Sequence, residues 1–134
     1  YILLIIFFSL LILSFVKQLA LARKITINQI FATICLYLII GLFWGTLYAL
    51  MHEFNPASYA GSLLEGPHKI TLSTFNYFSL VTLTTLGYGD ITPQTPSAGA
   101  LCQIEAVVGQ IFTAVVIAWL VGNFVAEKRK SFED

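Results

Sequence analysis

The stretch Thr82-Leu-Thr-Thr-Leu-Gly-Tyr-Gly-Asp-Ile-Thr-Pro93 lies between two apolar runs and is too polar and too rich in glycine to cross a membrane by itself. Within it, Gly87 and Gly89 alternate with Leu86 and Tyr88. Glycine takes a positive φ without steric cost, so such a backbone can turn successive carbonyl oxygens toward one side. The stretch therefore predicts a column of oxygen acceptors suited to a dehydrated cation.

The composition places this stretch in a membrane. The chain has 134 residues, of which 57% are hydrophobic and 10% charged, and its mean hydropathy is +0.83. A single soluble domain of this size cannot bury so much apolar surface, so we expect an integral membrane protein. The formal net charge of zero argues against a nucleic-acid partner. Cys35 and Cys102 fall inside apolar runs, where we expect buried packing thiols.

The N-terminal segment, residues 1–24, is apolar at first and basic at its end. Its strictly apolar part, Tyr1 to Val16, is shorter than the ~20 residues that a span needs. We interpret the segment as an extra peripheral helix. An anchor that only aids membrane insertion stays open as the second interpretation.

Residues 25–126 form the main predicted domain, which begins with a long apolar helix at 27–51. Gly41, Gly45 and Ala49 recur in this helix every four residues, a spacing that lets a second helix approach closely. A polar loop rich in proline and glycine follows at 52–70 and cannot continue the helix.

A short helix is predicted at 71–84, opening on hydroxyl residues suited to an N-cap. It is too short to cross a bilayer, and a helix that ends inside a membrane needs protein or water to cover its loose end. The loop at 85–90 follows it, and the last apolar helix is predicted at 98–126. A short tail, 127–134, closes the chain.

Thr85-Leu-Gly-Tyr-Gly-Asp90, with a short helix before it and an apolar helix on either side, resembles the selectivity filter of tetrameric potassium channels of the prokaryotic two-transmembrane type. The resemblance covers roughly residues 27–124 and implies an all-α membrane fold with an outer helix, a re-entrant pore helix, a filter loop and an inner helix. It implies a homotetramer that conducts K⁺ passively. It implies neither enzymatic chemistry nor a cofactor or small-molecule substrate.

The resemblance also assigns roles residue by residue. The carbonyl oxygens of Thr85, Leu86, Gly87 and Tyr88 would bind K⁺, and Gly89 completes the filter. The residues expected to support the filter are Thr84, Asp90, Tyr77 and Val81. The expected gating hinge is Gly109, and the residues expected to line the cavity are Gln110, Thr113, Ile117 and Val121.

The chain departs from the commonest pattern of this family at the support positions. Leu86 stands in place of the usual valine, and Val81 occupies a position where some members place a glutamate bonded to the filter aspartate. Tyr77 and Phe78 stand where many members have two tryptophans. We therefore expect Asp90 to be held mainly by Tyr77 or water, in a filter that is less rigidly braced and prone to inactivate.

Glu105 is the one acid well inside a predicted span, and acids there are costly and usually paired or functional. Two interpretations stay open for it: a functional acid that forms hydrogen bonds behind the filter, and a protonated structural residue.

Two alternatives to a potassium channel stay open: a non-selective cation channel and a non-conducting membrane subunit. Ser79-Leu-Val-Thr-Leu-Thr-Thr85 and Pro93-Gln-Thr95 also resemble bacterial channels that conduct sodium and potassium, which carry Asp and Asn where this chain has Tyr88 and Asp90. Tyr88 favours potassium selectivity. The other alternative is a non-conducting membrane subunit, which would not need the isolated short helix.

The basic residues predict an orientation. If the filter-side helix ends face outward, Lys69 lies outside, and the remaining basic residues lie near the cytoplasmic face: Lys17, Arg23, Lys24, Lys128, Arg129 and Lys130. This agrees with the positive-inside rule and predicts a multi-pass cell-membrane protein with an extracellular filter mouth and a cytoplasmic tail. No segment carries the regular arginines of a voltage sensor. His52 and His68 match no compact metal-ligand spacing.

Overall fold

The computed structural model describes residues 1–21, 26–65 and 70–133, and in the last helix it does not describe the side chains of 120, 121 and 123–133. Within these ranges the elements are α1 (Ile2–Ala20), α2 (Ile27–Phe54), β1 (Tyr59–Ala60), α3 (Leu72–Leu83), β2 (Thr92–Pro93) and α4 (Pro96–Glu133), with a 3₁₀ turn at Pro56–Ser58. Apart from two very short strands, these elements are helical, which confirms the predicted all-α class.

Three of the described helices are long and apolar enough to cross a membrane: Ile2–Ala20, Ile27–Phe54 and Pro96–Trp119. The 19 residues of α1 continue through Lys17, beyond the apolar part that the sequence delimits. At 1.5 Å per residue α1 is about 28 Å long, close to the ~30 Å of a hydrocarbon core. It lies along α2, with none of its own residues buried.

The glycines of α2 allow α3 to pack closely against it. A Cβ added at Gly41 would lie 2.7 Å from Leu80 Cδ2, and one added at Gly45 would lie 2.8 Å from Asn76 Cα. Real Cβ atoms do not approach so closely, so the small-residue spacing of α2 serves the contact with the short helix. Such close backbone packing is a main source of helix association inside a membrane.

An aromatic cluster fixes the other end of this contact. Tyr48 of α2, Tyr59 of β1, and Phe75 and Phe78 of α3 are all buried, with ring centroids 5.0 to 5.7 Å apart. These separations lie in the range that aromatic pairs favour. The cluster therefore joins α2, α3 and the loop between them.

A two-stranded antiparallel pair connects that loop to the segment after α3. Tyr59 pairs with Pro93 and Ala60 pairs with Thr92. The pairing continues where the Gln94 backbone N–H donates to the Ser58 carbonyl oxygen at 2.8 Å. The chain on both sides of the glycine-rich loop is thus anchored, by α3 before it and by β2 after it.

Two helix ends differ from the sequence prediction. The helix α2 ends at Phe54 and not at residue 51, because no breaking residue occurs before Pro56. The residue before a proline avoids helical dihedrals, and Asn55 is extended with φ −144° and ψ 95°.

The helix α4 begins at Pro96 and reaches Glu133, so the predicted boundary at residue 126 and the separate tail at 127–134 are wrong for the described residues. The Thr95 hydroxyl accepts from the Ala98 N–H at 3.3 Å and caps its first turn. Residues 127–130 are glutamate, lysines and arginine, which are good helix formers, and no glycine or proline follows them.

Two further predictions from the sequence concern the cysteines and the basic residues. Cys35 is exposed on α2 rather than buried, whereas Cys102 is partly buried, and both thiols are free. The backbone of Arg23, Lys24 and Lys69 lies outside the described residues, as do the side chains of residues 128–130. The predicted orientation therefore stays a prediction.

Candidate functional site

Along the glycine-rich loop, residues with a positive φ alternate with residues that do not have one. Thr85, Gly87 and Gly89 have φ values of 59°, 59° and 81°, whereas Leu86 and Tyr88 between them do not have a positive φ. This alternation is the geometry that turns successive carbonyl groups toward the same side. The two glycines were expected to supply it, but Thr85 was not, because a positive φ is uncommon for a residue with a branched side chain.

The end of α3 holds the start of this loop through backbone contacts. The N–H groups of Leu86 and Gly87 donate to the Val81 carbonyl oxygen at 2.9 and 3.3 Å, and the Thr85 N–H donates to Thr82 at 2.9 Å. Val81 therefore contacts the loop through its carbonyl group, while its side chain is buried. The residue type at position 81 carries no signal of this contact, because it is made by a backbone carbonyl group.

Asp90, at the far end of the loop, is held by a tyrosine. The Tyr77 hydroxyl donates to Asp90 Oδ2 at 2.5 Å, and the Ile91 N–H donates to Asp90 Oδ1 at 3.1 Å. The hydrogen bond to Asp90 raises the pKa of Tyr77 to about 12. Tyr77 is consequently a neutral donor throughout the physiological pH range.

Gly61 contacts the same end of the loop from the other side. Its φ is 148°, and an added Cβ would lie only 2.0 Å from the Asp90 carbonyl oxygen. A side chain at this position would displace Asp90. The sequence marks Gly61 only as a loop glycine, because nothing near it in the chain reveals its partner.

The last turn of α3 is wedged between two spanning helices. The Tyr37 hydroxyl of α2 donates to the Leu83 carbonyl oxygen at 3.2 Å. From α4, Gly109 is buried so close to this carbonyl that an added Cβ would lie 2.1 Å from its oxygen. This contact accounts for a glycine at position 109, and a hinge at that position stays a prediction.

The structure brings one predicted cavity residue to the loop. Gln110 Nε2 donates to Thr85 Oγ1 at 3.1 Å. Thr113 donates instead to the Gly109 carbonyl oxygen at 2.9 Å, and Ile117 is exposed in the single chain.

For two other predicted site residues, Thr84 and Val121, the structure describes no side-chain contact with the loop. The Thr84 hydroxyl turns back to its own helix and donates to Leu80 at 2.7 Å. The side chain of Val121 lies outside the described part of α4.

Residues 32–126, which include most of α2, all of α3 and most of α4, match a family model described as an ion channel. The match covers more than two thirds of the chain. The chain belongs to this ion channel family. Its members are channels and not enzymes, so the protein is a multi-pass membrane protein with permeant ions as its ligands. Comparison with curated protein sequences finds no significant match.

In this channel, Glu105 of α4 is wholly buried and contacts side chains of α2 and α3. Its carboxyl group accepts from the Tyr48 hydroxyl of α2 and lies 2.5 Å from Ser79 Oγ of α3. The sequence left open whether Glu105 is a functional acid or a protonated structural residue, and it identified neither partner. Tyr48 and Ser79 carry no signal of their own, because they are ordinary residues of apolar helices.

No resident metal site accompanies the loop in the described parts of the channel. Among residues 1–21, 26–65 and 70–133, no group of three or more His, Cys, Asp or Glu side chains is placed to hold a metal ion. His52 packs against the ring of Phe75 at 5.1 Å, and His68 lies outside the description.

Proposed function

We propose that this channel is potassium-selective and that the carbonyl oxygens of Thr85, Leu86, Gly87 and Tyr88 bind dehydrated K⁺. The observation that carries the proposal is the alternating φ of the Thr-Leu-Gly-Tyr-Gly segment. Stacked carbonyl rings replace the hydration shell of the ion, and several adjacent sites let ions repel one another onward. The step involves no covalent chemistry.

The proposed pore needs four copies of the chain around one axis. One chain supplies one wall of carbonyl groups, and a closed ring follows from cyclic symmetry. In the single chain the side chains of Leu86 and Tyr88 are 56% and 68% exposed, and a Cβ added at Gly87 or Gly89 would meet nothing within 4 Å. These exposed surfaces on both sides of the loop are available for neighbouring copies.

The short helix favours cations at the inner end of this filter. The carbonyl groups at the C-terminus of a helix carry partial negative charge. The C-terminal end of α3 leads directly into Thr85. Gln110 donates to the Thr85 hydroxyl and so occupies one lone pair of that oxygen, which leaves the other lone pair to face an ion below the filter.

The orientation that we propose places β1, β2 and the loop at the extracellular side and the end of α4 in the cytoplasm. It rests on the basic residues at the opposite ends of the spanning helices. A channel in this orientation receives external ions at Tyr88 and internal ions at Thr85.

The test is ion flux after reconstitution of the full chain in liposomes. We expect flux driven by a potassium gradient and none driven by an equal sodium gradient. Equal fluxes would favour the non-selective cation channel, and no flux under either gradient would favour a non-conducting subunit.

The matched control for this assay is Gly87→Ala. Alanine at a φ of 59° costs roughly 1–2 kcal/mol of strain, so the alternating backbone should be less populated and the flux should fall. If Gly87→Ala still assembles and conducts like the unmodified channel, this would contradict the proposal that the alternating backbone binds the ions.

A further inference from the structure

A buried cluster of polar side chains joins α2, α3 and α4 behind the proposed filter, and the conduction mechanism does not use it. Its centre is Glu105, which lies four residues before Gly109 on α4. One carboxyl oxygen accepts from the Tyr48 hydroxyl, and the other, Oε1, lies 2.5 Å from Ser79 Oγ. Glu105 and Ser79 are both wholly buried, so water does not complete these contacts.

The hydrogens of this cluster can be counted. Besides Glu105 Oε1, Ser79 Oγ lies 2.6 Å from the carbonyl oxygen of Gly41. Two oxygens at such distances need a hydrogen between them. The serine hydroxyl has one hydrogen, and a peptide carbonyl has none. A carboxylate would leave one of the two contacts without a hydrogen, whereas a protonated carboxyl group supplies the missing one.

We infer that Glu105 is a neutral carboxylic acid whose proton completes a hydrogen-bond chain through Ser79 to the Gly41 carbonyl oxygen. Glu105 donates to Ser79, Ser79 donates to Gly41, and Tyr48 donates to the second oxygen of Glu105. Glu105 is thereby a positioning residue that ties α3 to both spanning helices. Its effect on ion selection rests on the proposed function, because only then does α3 carry the filter.

The groups that face Glu105 are consistent with a neutral acid. They are Tyr48 from α2, Tyr59 from β1 and Cys102 from α4, while α3 contributes the Ser79 hydroxyl. All of them are uncharged when protonated. Among the described side chains no basic group contacts Glu105. An ionised acid without a cationic partner is strongly disfavoured inside a membrane.

At alkaline pH the hydrogen-bond chain from Glu105 to Gly41 should lose one identified contact. When Glu105 loses its proton to solvent, the Ser79 hydrogen turns to the carboxylate, and the 2.6 Å contact between Ser79 and Gly41 loses its hydrogen. The lost contact lies where α3 packs closely on Gly41. Tyr77 does not take part in this transition, because its pKa of about 12 keeps its bond to Asp90 intact at lower pH.

The protonation state is tested by infrared difference spectroscopy on the reconstituted full chain, comparing the unmodified channel with Glu105→Gln. We expect a C=O stretch of a protonated carboxylic acid at neutral pH that is missing from the variant. The absence of this band from the unmodified channel would overturn the inference. If the variant does not assemble, carbon-13 labelling of glutamate in the unmodified channel replaces it, and a band that does not shift with the label overturns the inference equally.

The positioning role is tested by the pH dependence of permeation. We expect the potassium-over-sodium permeability ratio of the unmodified channel to fall about tenfold as the band disappears, a change equal to ~1.4 kcal/mol. Glu105→Gln keeps a donor and an acceptor at the same positions, so it should keep the ratio at every pH. Ser79→Ala should show the lowered ratio already at neutral pH.

The outcomes separate the inference from the proposed function. A Glu105→Gln channel that follows the pH profile of the unmodified protein would overturn the positioning role. A carboxylic acid band in a protein that conducts no ions would support the neutral acid and contradict the proposed function instead.

Discussion

At the scale of single residues, the candidate filter depends on contacts that each end of the loop makes with its surroundings. Val81 holds the first N–H groups of the loop through its carbonyl oxygen, and Tyr77 holds Asp90 at the other end. Asp90 has no second carboxyl group from Val81, so the Tyr77 hydroxyl is the side-chain brace that it receives among the described residues. The stability of the conducting loop should therefore be sensitive to this hydroxyl.

Tyr77→Phe removes that hydroxyl and leaves the ring. Asp90 then loses the side-chain hydrogen bond that holds it, so we expect the conducting state to inactivate faster, most clearly at low external potassium. Macroscopic currents during prolonged opening measure the effect.

Tyr59→Phe is the matched control, because it removes a hydroxyl bonded to Met51 Sδ and not to the loop. Currents that decay equally in Tyr77→Phe and in the unmodified channel would show that Asp90 needs no brace.

The residue scale is also where sequence reasoning was least complete. The motif itself identifies Gly87 and Gly89, since only glycine takes their backbone conformation freely. The contacts of Gly61 with Asp90 and of Ser79 with Glu105 join residues 29 and 26 positions apart. Such contacts follow from tertiary packing, and a local pattern carries no information about them.

At the scale of elements, α3 is the part on which the others converge. Gly41 and Gly45 let it approach α2, and its last carbonyl group is enclosed by Tyr37 and Gly109. The order of the helices could be predicted from hydropathy and from the proline and glycine breaks. For α2 the small-residue spacing marks a face of close approach without naming its partner. The contact surfaces of the other helices could not be predicted, because these helices are apolar on several faces and their periodicity does not select one.

Gly109→Ala tests the contact between α4 and the end of α3. The added methyl group would overlap the Leu83 carbonyl oxygen, so we expect the assembled channel to lose about 1–3 kcal/mol of stability. Thermal dissociation of the detergent-solubilised assembly measures this loss.

Gly99→Ala on the same helix is the control, because its added Cβ meets nothing within 4 Å. If Gly109→Ala is as stable as the Gly99→Ala control and changes only the open probability, the hinge explains the glycine better than the contact does.

At the scale of the whole molecule, one chain supplies only one side of the proposed pore and cannot enclose it alone. The side chains that flank the loop are exposed, and the exposed face of α4 includes Ile104, Val107 and Ile111. The family match establishes an ion channel, whereas the fourfold assembly belongs to the proposed function, which needs a closed ring of carbonyl groups. Assembly and ion binding should therefore depend on each other.

We expect potassium to stabilise the assembly against heat and sodium to have little effect. A ligand that binds only the assembled state stabilises it by about 2.7 kcal/mol at a concentration 100 times its dissociation constant. Thermal dissociation of the assembly in matched potassium and sodium salts measures the difference. Identical curves in the two salts would contradict a potassium site that exists only in the assembled filter.

The most direct test of the central claim is the reversal potential of the reconstituted channel with potassium on one side of a planar bilayer and an equal concentration of sodium on the other. If the carbonyl column of Thr85 to Tyr88 selects potassium, the current should reverse far from zero, at a potential that opposes potassium flow. A reversal at zero would mean that sodium permeates as readily as potassium, and it would contradict a potassium-selective filter.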